Sequence, residues 1–215
     1  NENEIVGLLG PNGCGKTTTI GMILGLLKPT IGQVLINGKN IENNKISILH
    51  KMNFISPYIE LPKKLTVKQN LIVYGKLYNI QNLNQRINFL SEKLRLGDLL
   101  DKITGELSSG QKNRVSLAKA LINDPTVLLL DEPTAALDPE TADFIRTFLE
   151  KYKEEKKISV LLASHNMDEV KRLCNSVMMM KNGNIVDSGT PENLIKKYGQ
   201  KNLEEVFLEI VRNDK

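Results

Sequence analysis

The sequence contains few cysteines, no long apolar run and little excess of either charge, and each absence narrows what the chain can be. Its two cysteines, Cys14 and Cys174, cannot build a disulfide framework and are typical of a reducing compartment. No apolar run approaches the roughly 20 residues that cross a bilayer, and no signal peptide is recognisable, so we expect any membrane role to be peripheral. The net charge of +4 is too small and too dispersed to predict nucleic-acid binding.

Apolar runs alternate with helical segments along the chain, a pattern that predicts an α/β fold with a mainly parallel sheet. Residues 5–9 are an unbroken apolar run typical of a strand buried on both faces. Residues 126–130 are the strongest prediction of a buried strand, and residues 158–163 predict a further apolar strand. Ligands of such folds bind beyond the carboxyl ends of the strands. The residues that follow each run are therefore the candidates for a binding site.

From residue 66 the apolar residues recur at helical spacing, after a capping box that begins at Thr66. We therefore predict that residues 66–122 form an inserted helical subdomain. Residues 1–65 and 123–190 then make up the α/β core, and residues 191–215 the C-terminal helices. With 40% apolar residues, a chain of this length can bury a sizeable core.

A glycine-rich segment directly follows the first apolar run. Residues 10–18 read Gly-Pro-Asn-Gly-Cys-Gly-Lys-Thr-Thr, the spacing of a phosphate-binding loop between a strand and a helix. The glycines let successive N–H groups converge on one polyphosphate, and the helix adds its positive N-terminal end. Lys16 supplies a cation for the outer phosphates and Thr17 a hydroxyl for Mg²⁺. The predicted nucleotide-binding residues are Gly10, Asn12, Gly13, Cys14, Gly15, Lys16, Thr17 and Thr18.

An acidic pair follows the strongest strand prediction. Asp131 lies where the strand leaves the core, as expected of a carboxylate that organises Mg²⁺ in a phosphate-loop nucleotidase. Glu132 points to the opposite side if the chain stays extended, where it could polarise a water molecule. The alternative is that Asp-Glu-Pro only ends the strand, and the phosphate loop upstream makes this alternative the weaker one.

Two further segments can each be interpreted in two ways, either as an ordinary structural feature (the plain reading) or as part of a binding site (the functional reading). Residues 107–111, Leu-Ser-Ser-Gly-Gln, precede a helical stripe, so they are either an anion site at a helix N-terminus or an ordinary serine cap. His165 follows a strand and either contacts a terminal phosphate or is a hydrogen-bonded turn histidine. On the residues alone, the plain reading is the better one in both cases.

Together these motifs resemble the nucleotide-binding subunit of an ATP-binding cassette (ABC) transporter. Residues 10–18 match the Walker A motif, and residues 127–132 match Walker B with its catalytic glutamate. Residues 107–111 match the LSGGQ signature, with Ser109 in place of one glycine. Residues 136–138 match the D-loop, and His165 the switch histidine. The signature shortly before Walker B is highly specific to this family, so the resemblance favours the functional reading of Ser108, Ser109 and His165.

The resemblance implies an ATPase with a P-loop NTPase core, which uses ATP and Mg²⁺ and pairs head to tail with a second ABC ATPase subunit. Each ATP is then held by Walker A of one subunit and the signature of the other, and Thr17 and Asp131 hold Mg²⁺. Glu132 polarises the attacking water, and Lys16 and His165 stabilise the transferred phosphate. The residues implied at the partner's ATP are Ser108, Ser109, Gly110, Gln111 and Asp138.

The family role implied is to power a separate integral membrane subunit from the cytoplasmic face of the membrane. The tail at residues 202–208 resembles that of exporter subunits, which predicts export. One alternative is a soluble ABC ATPase that acts on ribosomes or DNA. The other is a nucleotide-binding module without turnover.

Two departures from the family pattern stand out. The family has a glutamine that contacts Mg²⁺ where this chain has Ser56, Pro57 and Tyr58. The aromatic residue that stacks on adenine precedes Walker A in the family and is missing here, so we expect an incomplete N-terminus. Cys14, in turn, lies in the loop near a helix N-terminus, a setting that favours thiol reactivity. We therefore expect thiol reagents to inactivate the enzyme and ATP to protect it.

Overall fold

The structure is a computed structural model that describes residues 3–57 and 59–212, so Tyr58 of the departure noted above lies outside the described residues. The strands are β1 (Ile5–Leu9), β2 (Leu35–Ile36), β3 (Lys39–Asn40), β4 (Met52–Ile55), β5 (Val127–Asp131), β6 (Ser159–Ala163), β7 (Ser176–Lys181) and β8 (Asn184–Gly189). The α-helices are α1 (Lys16–Ile23), α2 (Ile41–Leu49), α3 (Val67–Leu77), α4 (Leu83–Lys93), α5 (Ser109–Leu121), α6 (Pro139–Lys156), α7 (Met167–Leu173), α8 (Pro191–Tyr198) and α9 (Leu203–Arg212).

The chain divides into two compact units, the first comprising Asn1–Leu49 and Ser159–Lys215 and the second His50–Ile158. In the first unit, β1 pairs in parallel with both β6 and β7. Because β1 lies between two strands, Leu8 and Leu9 are almost completely buried, as the unbroken apolar run predicts. β8 pairs antiparallel with β7, so the two strands form a hairpin.

Helix α9 packs against the first unit through its apolar stripe. Leu203, Val206 and Ile210 are the buried residues of this helix. The Lys181 ammonium donates hydrogen bonds to the carbonyls of Ile210 (3.1 Å) and Val211 (3.0 Å) near the helix C-terminus. A cation in this position is favourable because the carbonyls at a helix C-terminus lack partners within the helix.

In the second unit, β4 and β5 are parallel, with Ile55 in register with Leu130. Leu128, Leu129 and Leu130 are at most 1% exposed, in agreement with the strand prediction. The predicted capping box at Thr66 is present and starts α3. The helical segment predicted from there onward is broken into α3, α4 and two short 3-10 helices.

The break between α3 and α4 has a local cause. Asn79 and Asn82 both adopt positive φ angles there, which a continuous α-helix cannot contain. Among the described residues, no helix is both long and apolar enough to cross a membrane.

Candidate functional site

The phosphate loop lies in the first unit, between the end of β1 and the start of α1. Gly13 and Gly15 have φ angles of 80° and 110°, which side-chain-bearing residues rarely adopt. A Cβ atom on Gly10 would lie 2.4 Å from the carbonyl oxygen of Met180, so only glycine fits against β7 at this position. The Gly183 N–H donates to the Cys14 carbonyl at 2.9 Å and fastens the loop to the β7–β8 turn. The loop geometry is therefore set by its contacts with β7 and β8.

The Lys16 side chain folds back into this loop. Its ammonium donates hydrogen bonds to the carbonyl oxygens of Gly10 (2.6 Å) and Pro11 (3.2 Å). Asn12, Thr17 and Thr18 are exposed around it. The loop thus holds a cation, an exposed threonine hydroxyl and the N-terminus of α1 within one short segment, which suits a polyphosphate.

Cys14 lies in the loop with its side chain directed into the core. It is 3% exposed and belongs to a small cluster with Leu8 and Met180. Reactive cysteines are usually partly exposed, whereas buried ones react slowly. The burial of Cys14 therefore argues against the thiol reactivity that its sequence position suggests.

His165 is exposed and follows β6 in the first unit. The residues on either side of it are tied together by hydrogen bonds. The Ser164 hydroxyl donates to the Glu169 carboxylate at 2.7 Å, and the Asn166 N–H donates to the Ser164 oxygen at 3.1 Å. The Asn166 side chain caps α7 by accepting a hydrogen bond from the Glu169 N–H at 3.0 Å. The turn that carries His165 is therefore stabilised by the hydrogen bonds among Ser164, Asn166 and Glu169.

Glu169, which bonds to both Ser164 and Asn166, is a residue of this turn that was not predicted. Its side chain is 1% exposed. Burial, and after it the nearby Glu169 carboxylate, raises the pKa of Cys174 to about 12. The one signal for this cluster in the sequence is a glutamate, Glu169, three residues after the helix cap at Asn166.

In the second unit, Asp131 is the last residue of β5 and is 7% exposed. The parallel register brings it beside Ser56, which follows β4. The Ser56 hydroxyl donates to the Asp131 carboxylate at 3.3 Å. Ser56, the first residue of the segment where the family has its glutamine, therefore contacts the carboxylate that we predict to organise Mg²⁺.

Glu132 does not continue the extended strand, so the expectation of an extended chain at this residue is wrong. Its φ angle is 52°, in the left-handed region, and the Ala135 N–H donates to its carbonyl at 3.2 Å. The chain turns here because a short loop must connect β5 to α6. The direction of the Glu132 side chain is therefore set by this turn rather than by strand alternation.

The signature residues form the N-terminus of α5. Ser108 caps the helix, with its hydroxyl accepting from the Gln111 N–H at 3.3 Å while the Gln111 side chain accepts from the Ser108 N–H at 3.0 Å. Ser108 and Ser109 are exposed. A Cβ atom on Gly110 would come within 3.1 Å of the Thr141 side chain at the start of α6. The plain reading of Ser108 as a helix cap is thus correct, and it leaves the exposed helix end available for an anion.

Asp138 caps α6, with its carboxylate accepting from the Thr141 N–H at 2.9 Å. Hydrogen bonds from Thr141 lower the pKa of the Asp138 carboxyl below its ordinary value. The Asn113 side chain of α5 donates to the Pro133 carbonyl at 2.6 Å. Through Asn113, the helix that carries the signature is bonded to the loop that carries Glu132.

A pocket of about 250 Å³ in the second unit brings several predicted residues together. Its polar lining includes Ser56, Ser109 and Glu132, and its apolar lining includes Ile59 and Leu137. Glu132 and the first residue of the signature helix therefore share one cavity. The sequence did not predict this pocket, because its walls come from segments far apart in the chain.

The oxygen donors present suit Mg²⁺. Thr17 offers an exposed hydroxyl and Asp131 a carboxylate, both hard ligands of the kind that Mg²⁺ prefers. Among the described residues, no group of three or more His, Cys, Asp or Glu side chains could hold a metal ion by itself. Magnesium is commonly held by one or two protein ligands together with substrate phosphates.

The ABC transporter family profile matches residues 1–135. This chain belongs to the ABC transporter family of ATP-binding proteins. It has the mixed α/β fold of that family, and it is an ABC ATPase. The motifs that predicted the family, Walker A at residues 10–18 and Walker B at residues 127–132, lie within the matched part of the chain.

Relatives that are named as ATP-binding proteins of transporters are similar to this ABC ATPase. The ABC transporter ATP-binding protein NatA of Bacillus subtilis is 34% identical over 210 residues, which cover 96% of this chain and 85% of NatA. The methionine import ATP-binding protein MetN of Latilactobacillus sakei is 38% identical, with 88% of this chain and 57% of that protein covered. The bacitracin transport protein BcrA of Bacillus licheniformis is 36% identical, with 94% and 66% covered. The chain thus spans between about half and most of the length of these relatives.

Solved ABC structures have the same fold. The structure of an ATP-binding subunit of an ABC transporter superposes on this chain with a TM-score of 0.89 at 26% identity. The superposition covers 99% of this chain and 90% of the other chain. The protein cbiO1 of Clostridium perfringens, part of the cbiONQ transporter complex, has a TM-score of 0.81 at 30% identity, with 99% and 86% covered. A dimeric ATP-binding cassette in a post-hydrolysis state with ADP and Pi has a TM-score of 0.80 at 26% identity, with 88% and 86% covered.

Proposed function

We propose that this ABC ATPase hydrolyses ATP as one subunit of a head-to-tail dimer that powers a separate integral membrane subunit. The observation that carries the proposal is the phosphate loop, in which the Lys16 ammonium lies against the carbonyls of Gly10 and Pro11. An incoming polyphosphate offers this ammonium stronger acceptors than two backbone carbonyls, because phosphate oxygens carry a negative charge and carbonyl oxygens do not. ATP binding then replaces these internal bonds with bonds to phosphate oxygens.

In the proposed reaction, Glu132 polarises a water molecule for in-line attack on the γ-phosphate. Lys16 and His165 stabilise the negative charge on the transferred phosphoryl group. Thr17 and Asp131 hold Mg²⁺, which neutralises phosphate charge when bound. Ser56 supports Asp131 through its hydrogen bond, the role that we assign to it in place of the missing glutamine.

The dimer supplies the rest of the proposed site. The exposed N-terminus of α5, with Ser108, Ser109 and Gly110, faces the ATP held by the other subunit, and its unpaired N–H groups and dipole stabilise the γ-phosphate. In the proposed dimer, Gln111 and Asp138 also contact the ATP that is held by the other subunit. The dimeric ABC structure with ADP and Pi supports this assembly as a model for the present chain.

The proposed membrane partner rests on the relatives, whose names assign them to transport. The cbiONQ complex is one in which a similar ATP-binding protein is part of a transporter. We infer that this chain acts at the cytoplasmic face of the membrane through its partner, and that the direction is export, as the C-terminal segment at residues 202–208 suggests.

The catalytic assignment is tested with Glu132→Gln. We expect this variant to bind ATP normally and to lose hydrolysis by about 100-fold or more, the contribution of a general base. Glu140→Gln is the matched control, because Glu140 is exposed in the first turn of α6 and does not line the pocket around Glu132. Hydrolysis that survives in Glu132→Gln at the level of the control would disprove the role of Glu132.

The dimer and the partner are tested separately. Glu132→Gln with ATP should run as a dimer in light scattering, and adding Ser108→Glu should prevent dimerisation, since a carboxylate at the helix end repels the phosphates.

A tagged chain should then co-purify with an integral membrane protein. Recovery with ribosomes or DNA in its place would refute the transport assignment. Inside-out vesicles that accumulate the transported compound on addition of ATP would support export. Right-side-out vesicles that are loaded with ATP and accumulate the compound would show import instead.

A further inference from the structure

A second pocket lies in the second unit, away from the predicted catalytic residues, along one face of α6. Its volume is about 270 Å³. Phe144, Phe148 and Tyr152 recur at intervals of four along the helix, so the three rings form one continuous aromatic wall. We call this cavity the α6 pocket. None of its lining residues belongs to the motifs that define the ATPase site.

The aromatic wall is rigid. The rings of Phe148 and Tyr152 are stacked, with centroids 5.5 Å apart and planes at 26°. The Tyr152 hydroxyl is held at 3.1 Å by both Arg86 and Asp124, so the ring cannot turn without breaking two hydrogen bonds. A preformed aromatic surface binds a flat ligand at low entropic cost.

Cations surround this wall. Lys93, Arg95 and Lys151 line the pocket, and Glu155 is its single acidic lining residue. The Glu155 carboxylate is 3.9 Å from the Lys93 ammonium, so these two groups already form an ion pair. Within residues 3–57 and 59–212, no carboxylate lies within ion-pair distance of Arg95 or Lys151. The pocket therefore carries a net positive charge that the described residues do not neutralise.

Arg95 is held in place beside the aromatic wall. Its guanidinium carbon lies 4.6 Å from the centroid of the Phe144 ring, in cation–π contact. Its carbonyl accepts a hydrogen bond from the Arg114 guanidinium at 2.8 Å. Burial, and after it the charge of Arg95, lowers the pKa of Arg114, which agrees with a positive potential at this place.

We propose that the α6 pocket binds a small aromatic anion: a planar apolar ring that carries a carboxylate, sulfonate or phosphate group. The ring would lie against Phe144 and Phe148, and its charged group would pair with Arg95 and Lys151. Arginine recognises such oxyanions with two parallel hydrogen bonds. The volume lies just below the range of about 300–1,000 Å³ usual for drug-sized ligands, which suits a compact molecule rather than a protein segment.

The test uses anilinonaphthalene sulfonate, a fluorescent aromatic anion, with the phosphate loop saturated by Mg-ATP so that the probe cannot occupy that site. We expect one saturable site whose affinity falls with rising salt. The double variant Arg95→Gln, Lys151→Gln should bind the probe at least about tenfold more weakly, because both charged contacts are lost. Lys68→Gln is the matched control, since Lys68 is an exposed cation of α3 outside the pocket.

Two further measurements test separately whether the pocket recognises the ring and the charge of the probe. Phe144→Leu keeps an apolar side chain but removes the π face, and we expect it to weaken binding of the probe. Naphthalene sulfonate should displace the probe, whereas the neutral naphthalene sulfonamide should not. Equal affinity in the double variant and in Lys68→Gln would overturn the proposal. Equal displacement by the neutral compound would do the same, because it would show apolar adsorption without anion recognition.

Discussion

Replacing Arg86 by methionine should destabilise the second unit more than any exposed substitution in it. Arg86 lies in α4, and its side chain is 14% exposed. Its Nε atom donates to the Ile122 carbonyl at 3.3 Å, and Nη2 donates to the Leu121 carbonyl at the C-terminus of α5. Nη2 also lies 3.1 Å from both the Asp124 carboxylate and the Tyr152 hydroxyl. One guanidinium therefore joins α4, the end of α5 and α6.

The magnitude follows from these contacts. Hydrogen bonds to a charged group contribute about 1.5–3 kcal/mol each, but the two carbonyls regain part of this from water when the side chain is removed. The pair with Asp124 counts for little, because the Asp124 side chain is 53% exposed. We therefore expect a loss of about 3 kcal/mol, which corresponds to a fall of roughly 6–12 °C in the unfolding temperature.

Thermal unfolding followed by circular dichroism measures the change, with Lys68→Met as the matched exposed control. Hydrogen exchange should also accelerate along the C-terminal half of α5 in the Arg86→Met variant, because its last carbonyls lose their partner. A change below about 1 kcal/mol, equal to that of the control, would refute the reasoning. In that case the guanidinium contacts would be replaced by water without net cost.

The remaining predictions concern the phosphate loop, pH and the two cysteines. Gly10→Ala should weaken ATP binding, measured by titration with a fluorescent nucleotide, because its Cβ would lie 2.4 Å from the Met180 carbonyl oxygen. Gly97→Ala, which meets no atom within 4 Å, should bind ATP normally, and equal affinities would contradict the argument. Partial burial raises the pKa of Asp124, but Arg86, Lys156 and Tyr152 outweigh it and hold the pKa below its ordinary value of 3.8. The stabilisation by Asp124 is therefore present above that pH and is lost as the pH falls through the lower folded-state value, so Asp124→Asn should be less stable than the wild type at neutral pH and equally stable in strong acid. A difference that persists in acid would show that shape rather than charge is responsible. Iodoacetamide at pH 8 should modify Cys14 and Cys174 only slowly in the native protein, because both are buried and the pKa of Cys174 is about 12. Rapid loss of the Cys14 thiol, followed by mass spectrometry, would show that the loop opens.

Several features of this ABC ATPase could be predicted from the sequence because they depend on neighbouring residues. The local patterns with a local physical cause are the apolar runs of β1 and β5, the capping box at Thr66, the serine cap at Ser108 and the glycine spacing of residues 10–18. They predicted the fold class and the family, both of which are confirmed. The roles assigned to Glu132, His165 and the signature remain predictions, because chemistry at a site depends on the nucleotide and the partner as well as on the chain.

The features that the sequence did not predict depend on contacts between distant residues. Arg86 meets Asp124 across 38 residues and Tyr152 across 66, and no pattern along the chain relates these positions. The contact of Ser56 with Asp131 spans 75 residues and exists because β4 and β5 are adjacent and parallel. Glu132 points where a loop turn directs it, and Cys14 is buried because its loop packs on Met180.

The sequence by itself therefore determined that this protein binds a nucleotide through a strand, a glycine loop and a helix, because those residues are contiguous and their geometry is set by local backbone freedom. Only the tertiary structure decided which side chains meet. Packing brought Ser56 to Asp131, Glu132 and Ser109 to one pocket, and three cations to the aromatic wall of α6, because each of these depends on how separate helices and strands bury their apolar faces.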